Sequence, residues 1–263
     1  MRPTLFEVFG IPVRSYGVMM VIGFALGLWR AARVSSARYQ IPPERVYDIA
    51  IVALLSGVIG ARALFVLLNP ETERWAEFFA VWQGGLSFHG GFAAAMAAGW
   101  VYTRFARLRF WDCADLVAPS AALGYAMARI GCFLNGCCYG APTSLPWAVR
   151  FGESEPLTPP SHPTQIYACV ANLIIFIILI RAERARLAPG FVFAAYVGLY
   201  GVYRFLIEFL RAGYTAQVWG FGLTQAQVVS ALMIAASGVA MAALRRKTLR
   251  NRRASRPGNQ DHE

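Results

Sequence analysis

Two guanidinium groups stand in apolar surroundings that ordinarily exclude charge. Arg129 lies near the end of a stretch begun at Leu116 that is largely Ala, Leu, Val and Gly, and Arg204 lies within the apolar run 190–210. An ionisable residue at membrane depth costs at least ~2.5 kcal/mol on insertion scales, so it faces a partner or a watery cavity and marks a candidate site. A guanidinium keeps its charge, and its planar fork grips carboxylate or phosphate oxygens two at a time. The chemistry indicated is that of an anion, either bound or stabilised as it forms. Other groups could serve the same chemistry. Tyr196, Tyr200, Arg204, Glu208 and Arg211 follow steps of four, four, four and three, which puts them on one helix face. His89 stands in Gly84-Gly85-Leu86-Ser87-Phe88-His89-Gly90-Gly91, and its ordinary pKa suits it to take or relay a proton near neutrality.

Each feature also has a plainer account. Glu208 could merely neutralise Arg204. The glycines around His89 would serve helix packing as well as a ligand. Arg62 could snorkel toward lipid headgroups. So could Arg129, although Gly131, Asn135, Gly136 and Gly140 after it make an irregular turn suited to lining a cavity.

Composition defines the setting. The chain is 57% hydrophobic and 15% charged, with 18 Phe and a mean hydropathy of +0.46. That profile fits apolar segments of span length better than one soluble core. A net charge of +11 would suit nucleic acid, but seven of the basic residues lie between Arg245 and Arg256, directly after an apolar stretch. Anionic lipid accounts for that placement, and no nucleic-acid partner is expected. Cys113, Cys132, Cys137, Cys138 and Cys169 show neither paired C-x-x-C spacing nor a nearby set of histidines. They read as small apolar residues rather than as a zinc site or disulfide framework.

Seven spans are placed at residues 16–32, 46–68, 85–105, 116–134, 163–180, 190–210 and 222–244. The fold class expected is all-α, a polytopic integral membrane protein with seven transmembrane helices. Residues 1–244 form one membrane domain with an outer loop at 135–162, and residues 245–263 form a basic cytoplasmic tail expected to be disordered. Arg30, Arg33, Arg38 and Arg45 follow span one, Arg104, Arg107 and Arg109 follow span three, and Arg181, Arg184 and Arg186 follow span five. These faces are cytoplasmic by the positive-inside rule, so the N-terminus is outside. The opposite loops balance Arg74 with Glu71, Glu73 and Glu77, and Arg150 with Glu153 and Glu155. Threaded this way, Tyr16, Arg62, His89, Arg129, His162, Gln165, Arg204, Glu208 and Gln225 all fall in the outer half. The inner half is comparatively blank, which argues for one site near the outer membrane surface.

The motifs Arg14-Ser15-Tyr16-Gly17, Gly60-Ala61-Arg62, Ser87-Phe88-His89-Gly90-Gly91, Arg129-Ile130-Gly131 through Gly140, His162-Pro163-Thr164-Gln165 and Tyr200 through Phe209 occur in that order over nearly the whole chain. Together they resemble the prolipoprotein diacylglyceryl transferase family. The resemblance implies an enzyme of the bacterial plasma (inner) membrane, multi-pass, that moves the diacylglyceryl group of phosphatidylglycerol onto the lipobox cysteine of a secreted precursor. Its partners would be phosphatidylglycerol, membrane lipid and the prolipoprotein signal peptide. It would need no metal and no other cofactor. The implied catalytic residues are His89, Arg129 and Arg204. The implied substrate-binding residues are Tyr16, Arg62, Asn135, Gly140, His162, Gln165, Tyr200 and Glu208. The chain departs from the resembled pattern R-I-G-N-F-x-N-G-E, with Cys132 at the Asn and Cys137 at the Glu, so no role of that Asn or Glu is carried over.

Three other classes compete. A lipid or anion transporter would also hold intramembrane Arg and Glu, but it needs polar groups open to both faces, and the two halves of the chain show no evident repeat. A non-catalytic lipid-binding relative would accommodate Cys132 and Cys137. An intramembrane serine protease would use Ser87 and His89, although Gly85-Leu86-Ser87-Phe88-His89 lacks the second Gly of a nucleophile elbow. Ser87→Ala separates this last class from the others. Turnover of the substrate is expected to survive the substitution largely intact, whereas a serine nucleophile would lose it.

Overall fold

A computed structural model describes residues 1–8, 11–69, 78–79, 85–152, 156–185, 187–211, 218–220 and 222–254. Among the described residues the chain forms seven helices: α1 (Ser15–Tyr39), α2 (Pro43–Leu68), α3 (Phe88–Phe105), α4 (Phe110–Asn135), α5 (Thr164–Arg184), α6 (Phe191–Glu208) and α7 (Gln225–Ala254). Two short antiparallel pairs accompany them, β1 (Thr4–Val8) with β2 (Ile11–Arg14) and β3 (Val218–Gly220) with β4 (Leu223–Thr224). The protein is mainly helical, and the all-α expectation omitted these hairpins. Gly84, Arg74, Glu71, Glu73, Glu77, Glu153, Glu155 and Arg186 of the sequence analysis lie outside the described residues.

Among the described residues six helices are long and apolar enough to cross a membrane: α1, α2, α4, α5, α6 and the Gln225–Arg246 part of α7. Their surfaces agree with that reading, because Val21, Leu55, Ile59 and Leu67 are exposed. In water such faces would be an aggregation liability, and in lipid they are the ordinary contact. The remaining helix, α3, has 18 residues, with His89 second from its start and Arg104 second from its end.

The helices run past the apolar segments that announced them. Lipid selects for apolar side chains only over the hydrocarbon thickness, whereas helical backbone continues while propensity allows. Thus α1 extends to Tyr39 rather than ending near 32, and α4 starts at Phe110 rather than near 116. The same holds at residue 245, the expected start of the basic tail. Helix α7 continues through Arg-, Lys- and Leu-rich sequence to Ala254, and within it Thr248 Oγ1 accepts a hydrogen bond of 3.0 Å from the Ala188 amide. Residues 255–263 lie outside the described residues.

The chain divides into two compact units, residues 28–113 in one and residues 1–27 with 114–263 in the other. In the first, α2 and α3 meet through small residues. A Cβ placed on Gly90 would run into the Gly60 carbonyl and Leu64, and one on Gly60 would strike Ala94 and the Gly90 carbonyl. Tight backbone approach replaces the hydrophobic drive that lipid cannot supply between helices. At the N-terminal end of α2 the Tyr102 hydroxyl donates to Asp48 at 2.6 Å, and Arg45 joins the same carboxylate at 3.4 Å.

The second unit is built around Ala118, Ala122, Ile175, Leu179, Val192 and Ala195, from α4, α5 and α6. Gly198 of α6 lies against Ser237 of α7, and Gly201 against Ile234 and Ser230. Asp115 is a buried acid at the edge of the half that the sequence left comparatively blank. Its carboxylate accepts from the Gly190 amide at 2.7 Å and the Phe193 amide at 2.8 Å, satisfying donors that the first turn of α6 cannot pair internally.

The small-residue contact yields a stability prediction. Gly90→Ala is expected to destabilise the α2–α3 pair by about 1–3 kcal/mol, the usual range for overpacking. Gly99→Ala, where a Cβ meets nothing within 4 Å, is expected to cause no loss. Thermal unfolding of the two variants in detergent measures the difference.

Candidate functional site

Arg129 and Arg204 border one cluster of tyrosines. Helix α4 presents Tyr125 one turn before Arg129, and the Arg129 guanidinium both donates to the Tyr125 hydroxyl and lies 4.6 Å from the centroid of its ring. The Tyr125 ring meets two tyrosines of α6 edge-on, Tyr200 at 5.6 Å and Tyr203 at 6.3 Å between centroids. Tyr196 and Tyr200 lie 6.1 Å apart, and Tyr200 and Tyr203 5.7 Å apart. Arg204 follows directly in α6 and interacts electrostatically with Tyr200. The anticipated face of α6 is thus occupied by Tyr196, Tyr200, Arg204 and Glu208, and Tyr203 extends it.

Glu208 fixes Arg204. The two side chains form an ion pair in which the carboxylate is fully buried and the guanidinium is 20% exposed. The second Glu208 oxygen accepts a 3.2 Å hydrogen bond from Thr224 Oγ1, and Thr224 is capped in turn by Gln227 at 3.0 Å. A buried carboxylate satisfied on both oxygens is a stationary counter-charge, and it aims the guanidinium instead of neutralising it in solvent.

The turn after α4 is fastened from α5. Gln165 Nε2 donates to the Cys137 carbonyl at 2.7 Å, and Thr164 Oγ1 to the Cys138 carbonyl at 2.8 Å. The Gly140 amide bonds the His162 carbonyl at 2.9 Å, and the Ala141 amide bonds the Leu210 carbonyl at 2.8 Å. A Cβ on Gly140 would strike that Leu210 carbonyl, so only glycine fits. The His162 ring stands edge-on to Tyr167, 6.1 Å between centroids. Gly140, His162 and Gln165, expected to bind substrate, are engaged in holding this turn. Asn135 ends α4, half-buried, at its start.

Three cysteines come together here, contrary to their expected reading as scattered apolar residues. The sulfur atoms of Cys132, Cys137 and Cys138 all lie within 4.8 Å of one another. Hydrogen bonds with Cys132 and Cys137, and then the Arg129 and Arg211 guanidiniums, hold the Cys138 thiol well below the usual thiol range. Tyr16, at the start of α1, interacts electrostatically with all three cysteines and with Arg129. Cys113 and Cys169 are buried and fit the apolar reading.

Arg62 and His89 belong to the other compact unit. Arg62 does not snorkel. It is 1% exposed, donates to the carbonyls of Phe78 at 3.3 Å and Gly85 at 3.2 Å, and lies 5.7 Å from the Phe65 ring centroid. His89 is exposed in the first turn of α3. The structure therefore gathers Tyr16, Arg129, Tyr200, Arg204 and Glu208, with the turn held by Gly140, His162 and Gln165, in one unit.

Sequence reasoning missed Tyr125, Tyr203, Thr164, Thr224 and the cysteine trio. Tyr125 carried a usable signal, its four-residue spacing from Arg129. Thr224 carried none, since its partner Glu208 is reached only through tertiary packing.

A family model for prolipoprotein diacylglyceryl transferase matches residues 3–243. The chain is also similar to curated proteins named phosphatidylglycerol--prolipoprotein diacylglyceryl transferase. It is 35% identical to that of Nitratidesulfovibrio vulgaris over 240 residues, covering 86% of this chain and 88% of the relative. It is 33% identical to that of Coxiella burnetii over 250 residues, covering 91% and 94%. It is 35% identical to that of Methylococcus capsulatus over 245 residues, covering 89% and 91%.

The buried pair supplies a test of its own. Glu208→Ala removes the fixed counter-charge and is expected to cost about 3–5 kcal/mol of stability, as for other broken buried pairs. Glu208→Gln, which keeps the shape and an acceptor for Thr224, is expected to cost clearly less. Thermal unfolding in detergent distinguishes the two.

Proposed function

The chain belongs to the prolipoprotein diacylglyceryl transferase family, and we propose that it transfers the diacylglyceryl group of phosphatidylglycerol to the lipobox cysteine of prolipoproteins. The observation that carries this reading is the pair of arginines bordering one tyrosine cluster, with Glu208 holding Arg204 in place. The reaction requires that arrangement. The substrate thiol, ordinarily near pKa 8.5, loses its proton, and its sulfur forms a bond to the glyceryl carbon. The bond from that carbon to the phosphate oxygen breaks, and the electron pair leaves on glycerol phosphate. Negative charge thus gathers on the phosphate, where Arg129 and Arg204 donate. One well-aimed donor of this kind lowers the barrier by about 3–4 kcal/mol.

His89 receives the thiol proton, consistent with its exposed position at the start of its helix. Tyr16 and Tyr200 hold the headgroup, and Asn135 bonds a glycerol hydroxyl. Gly140, His162 and Gln165 keep the turn after α4 in register, and Arg62 keeps the backbone at Phe78 and Gly85 in place. The nucleophile belongs to the substrate, so no cysteine of this chain acts covalently.

Membrane embedding follows from the substrates. Removing acyl chains from lipid costs ~0.8 kcal/mol per CH₂, so both partners reach the site laterally from the bilayer. A shallow groove lined by Val13, Arg14, Gly17, Val18, Val21 and Ile22 offers an apolar surface that suits an acyl chain. In this reading α3 is a seventh span, the N-terminus is outside, the C-terminus is cytoplasmic, and the site faces the outer side of the bacterial inner membrane. The placement of Arg30, Arg33, Arg38, Arg104, Arg181 and Arg184 supports that orientation.

Incubating the purified protein with phosphatidylglycerol and a lipobox peptide tests the reading, by mass spectrometry of the diacylglyceryl thioether and of released glycerol phosphate. A folded preparation that forms no adduct would instead be the lipid-binding relative. Arg129→Ala and Arg204→Lys are each expected to lower turnover by roughly 10²–10³-fold. Lysine keeps the charge beside Glu208 but cannot grip two phosphate oxygens at once, so it spares the fold while removing the proposed contact. Near-normal turnover in either variant would overturn the assignment.

A further inference from the structure

The three sulfurs at the end of α4 are arranged for a use that the transfer reaction does not make of them. Three ligands at the ~2.3 Å of a Zn–S bond stand about 3.8–4.0 Å from one another, depending on whether the centre is tetrahedral or planar. The sulfurs of Cys132, Cys137 and Cys138 already lie within 4.8 Å of one another, so small side-chain rotations close the set. We propose that Cys132, Cys137 and Cys138 form a three-thiolate site for a thiophilic metal ion of the Zn(II) or Cu(I) kind.

The backbone is shaped for this convergence. Gly136 at φ +72° turns the chain back on α4, and the Cys137 amide bonds the Cys132 carbonyl at 3.1 Å. Cys138 itself adopts φ +66°, a conformation that non-glycine residues seldom take unless their surroundings impose it. The hydrogen bonds from Gln165 and Thr164 to the Cys137 and Cys138 carbonyls impose it from α5, and such outer contacts orient metal ligands.

Ligand type and charge agree. Soft thiolates select zinc or cuprous ion over hard cations. Binding converts each thiol still protonated to thiolate and releases its proton, with no change of oxidation state. Three thiolates around Zn(II) carry net charge −1, and around Cu(I) −2. Arg129 and Arg211 both interact electrostatically with Cys138 and offset that excess. Arg211 Nε is buried and has no hydrogen-bond partner among the described residues. Access is graded as well. Cys138 is exposed, Cys137 half-buried and Cys132 buried, so an ion would be captured at Cys138 and end on Cys132.

The test uses the full-length protein in detergent, reduced and stripped of metal. Zn(II) alone is added to one sample, and Cu(I) under argon to another. Elemental analysis after desalting is expected to give one ion per chain, and the tighter of the two separates zinc from copper. Cys132→Ser, Cys137→Ser and Cys138→Ser are each expected to weaken binding at least roughly ten-fold, whereas Cys113→Ala with Cys169→Ala leaves it unchanged. In the unsubstituted protein the metal is also expected to shield Cys138 from alkylation, a readout that does not depend on how the serine variants fold. The proposal is overturned if the reduced protein binds neither ion, if the triple serine variant binds as well as the original, or if bound metal leaves Cys138 fully reactive. Loss of metal binding with transfer intact sinks this site alone, and the reverse sinks the transfer reading alone.

Discussion

A guanidinium cannot shed its charge, and in an apolar medium that single fact dictates its surroundings. Arg204 has a buried carboxylate, itself anchored by Thr224. Among the described residues Arg129 pairs with no carboxylate and is met instead by a phenol hydroxyl and the face of the same ring. The difference matters chemically. A carboxylate compensates the charge in full and competes with an incoming anion, whereas a tyrosine offers only a dipole and a quadrupole. The two arginines are therefore unequal, with Arg204 held and Arg129 left electrostatically unsaturated. An anion arriving between them would meet one rigid donor and one that no carboxylate holds among the described residues.

The scaffold that holds them is built from close backbone approach rather than large side chains. Gly198 and Gly201 bring α6 against α7, and Gly23 and Gly131 bring the start of α1 against α4, with Gly131 facing Tyr16. Lipid competes with any apolar side chain for a helix surface, so tight packing of small residues is the means of holding helices in register. Aromatic rings then join α4 to α6. Tyr125, Tyr200 and Tyr203 are large and stiff, so the arginine next to them inherits their position.

Much of this was legible in the residues alone, and the limits have physical causes. Spans announce themselves because lipid demands an apolar run, but their ends do not. Arg33 and Arg38 continue α1, and Arg245 and Arg246 continue α7, because these side chains favour helix while repelling lipid. The Arg204–Glu208 pair was legible from its four-residue spacing, since both groups share one helix. The β pairs were too short to show alternation. Tyr125 went unnoticed because hydropathy does not register a hydroxyl aimed at a guanidinium. The cysteine trio was hidden for a different reason. Cys132 belongs to a helix, and Cys137 and Cys138 lie beyond a turn whose direction depends on a left-handed Gly136 and on clamps from another helix.

That turn links two chemistries that the linear motif runs together. Cys132 and Cys137, the two departures from the resembled pattern, are neighbours in space. The exchange places polarisable sulfur beside Arg129 and Tyr16. A cluster of thiolates would partly neutralise Arg129, and a cation bound among them would lower that compensation while leaving the group net negative. The state of the three sulfurs thus sets how much positive potential Arg129 presents to an anion, without any of them touching the reacting atoms. Such coupling follows from short distances in a medium of low dielectric, where a charge at one side of a guanidinium is felt at the other.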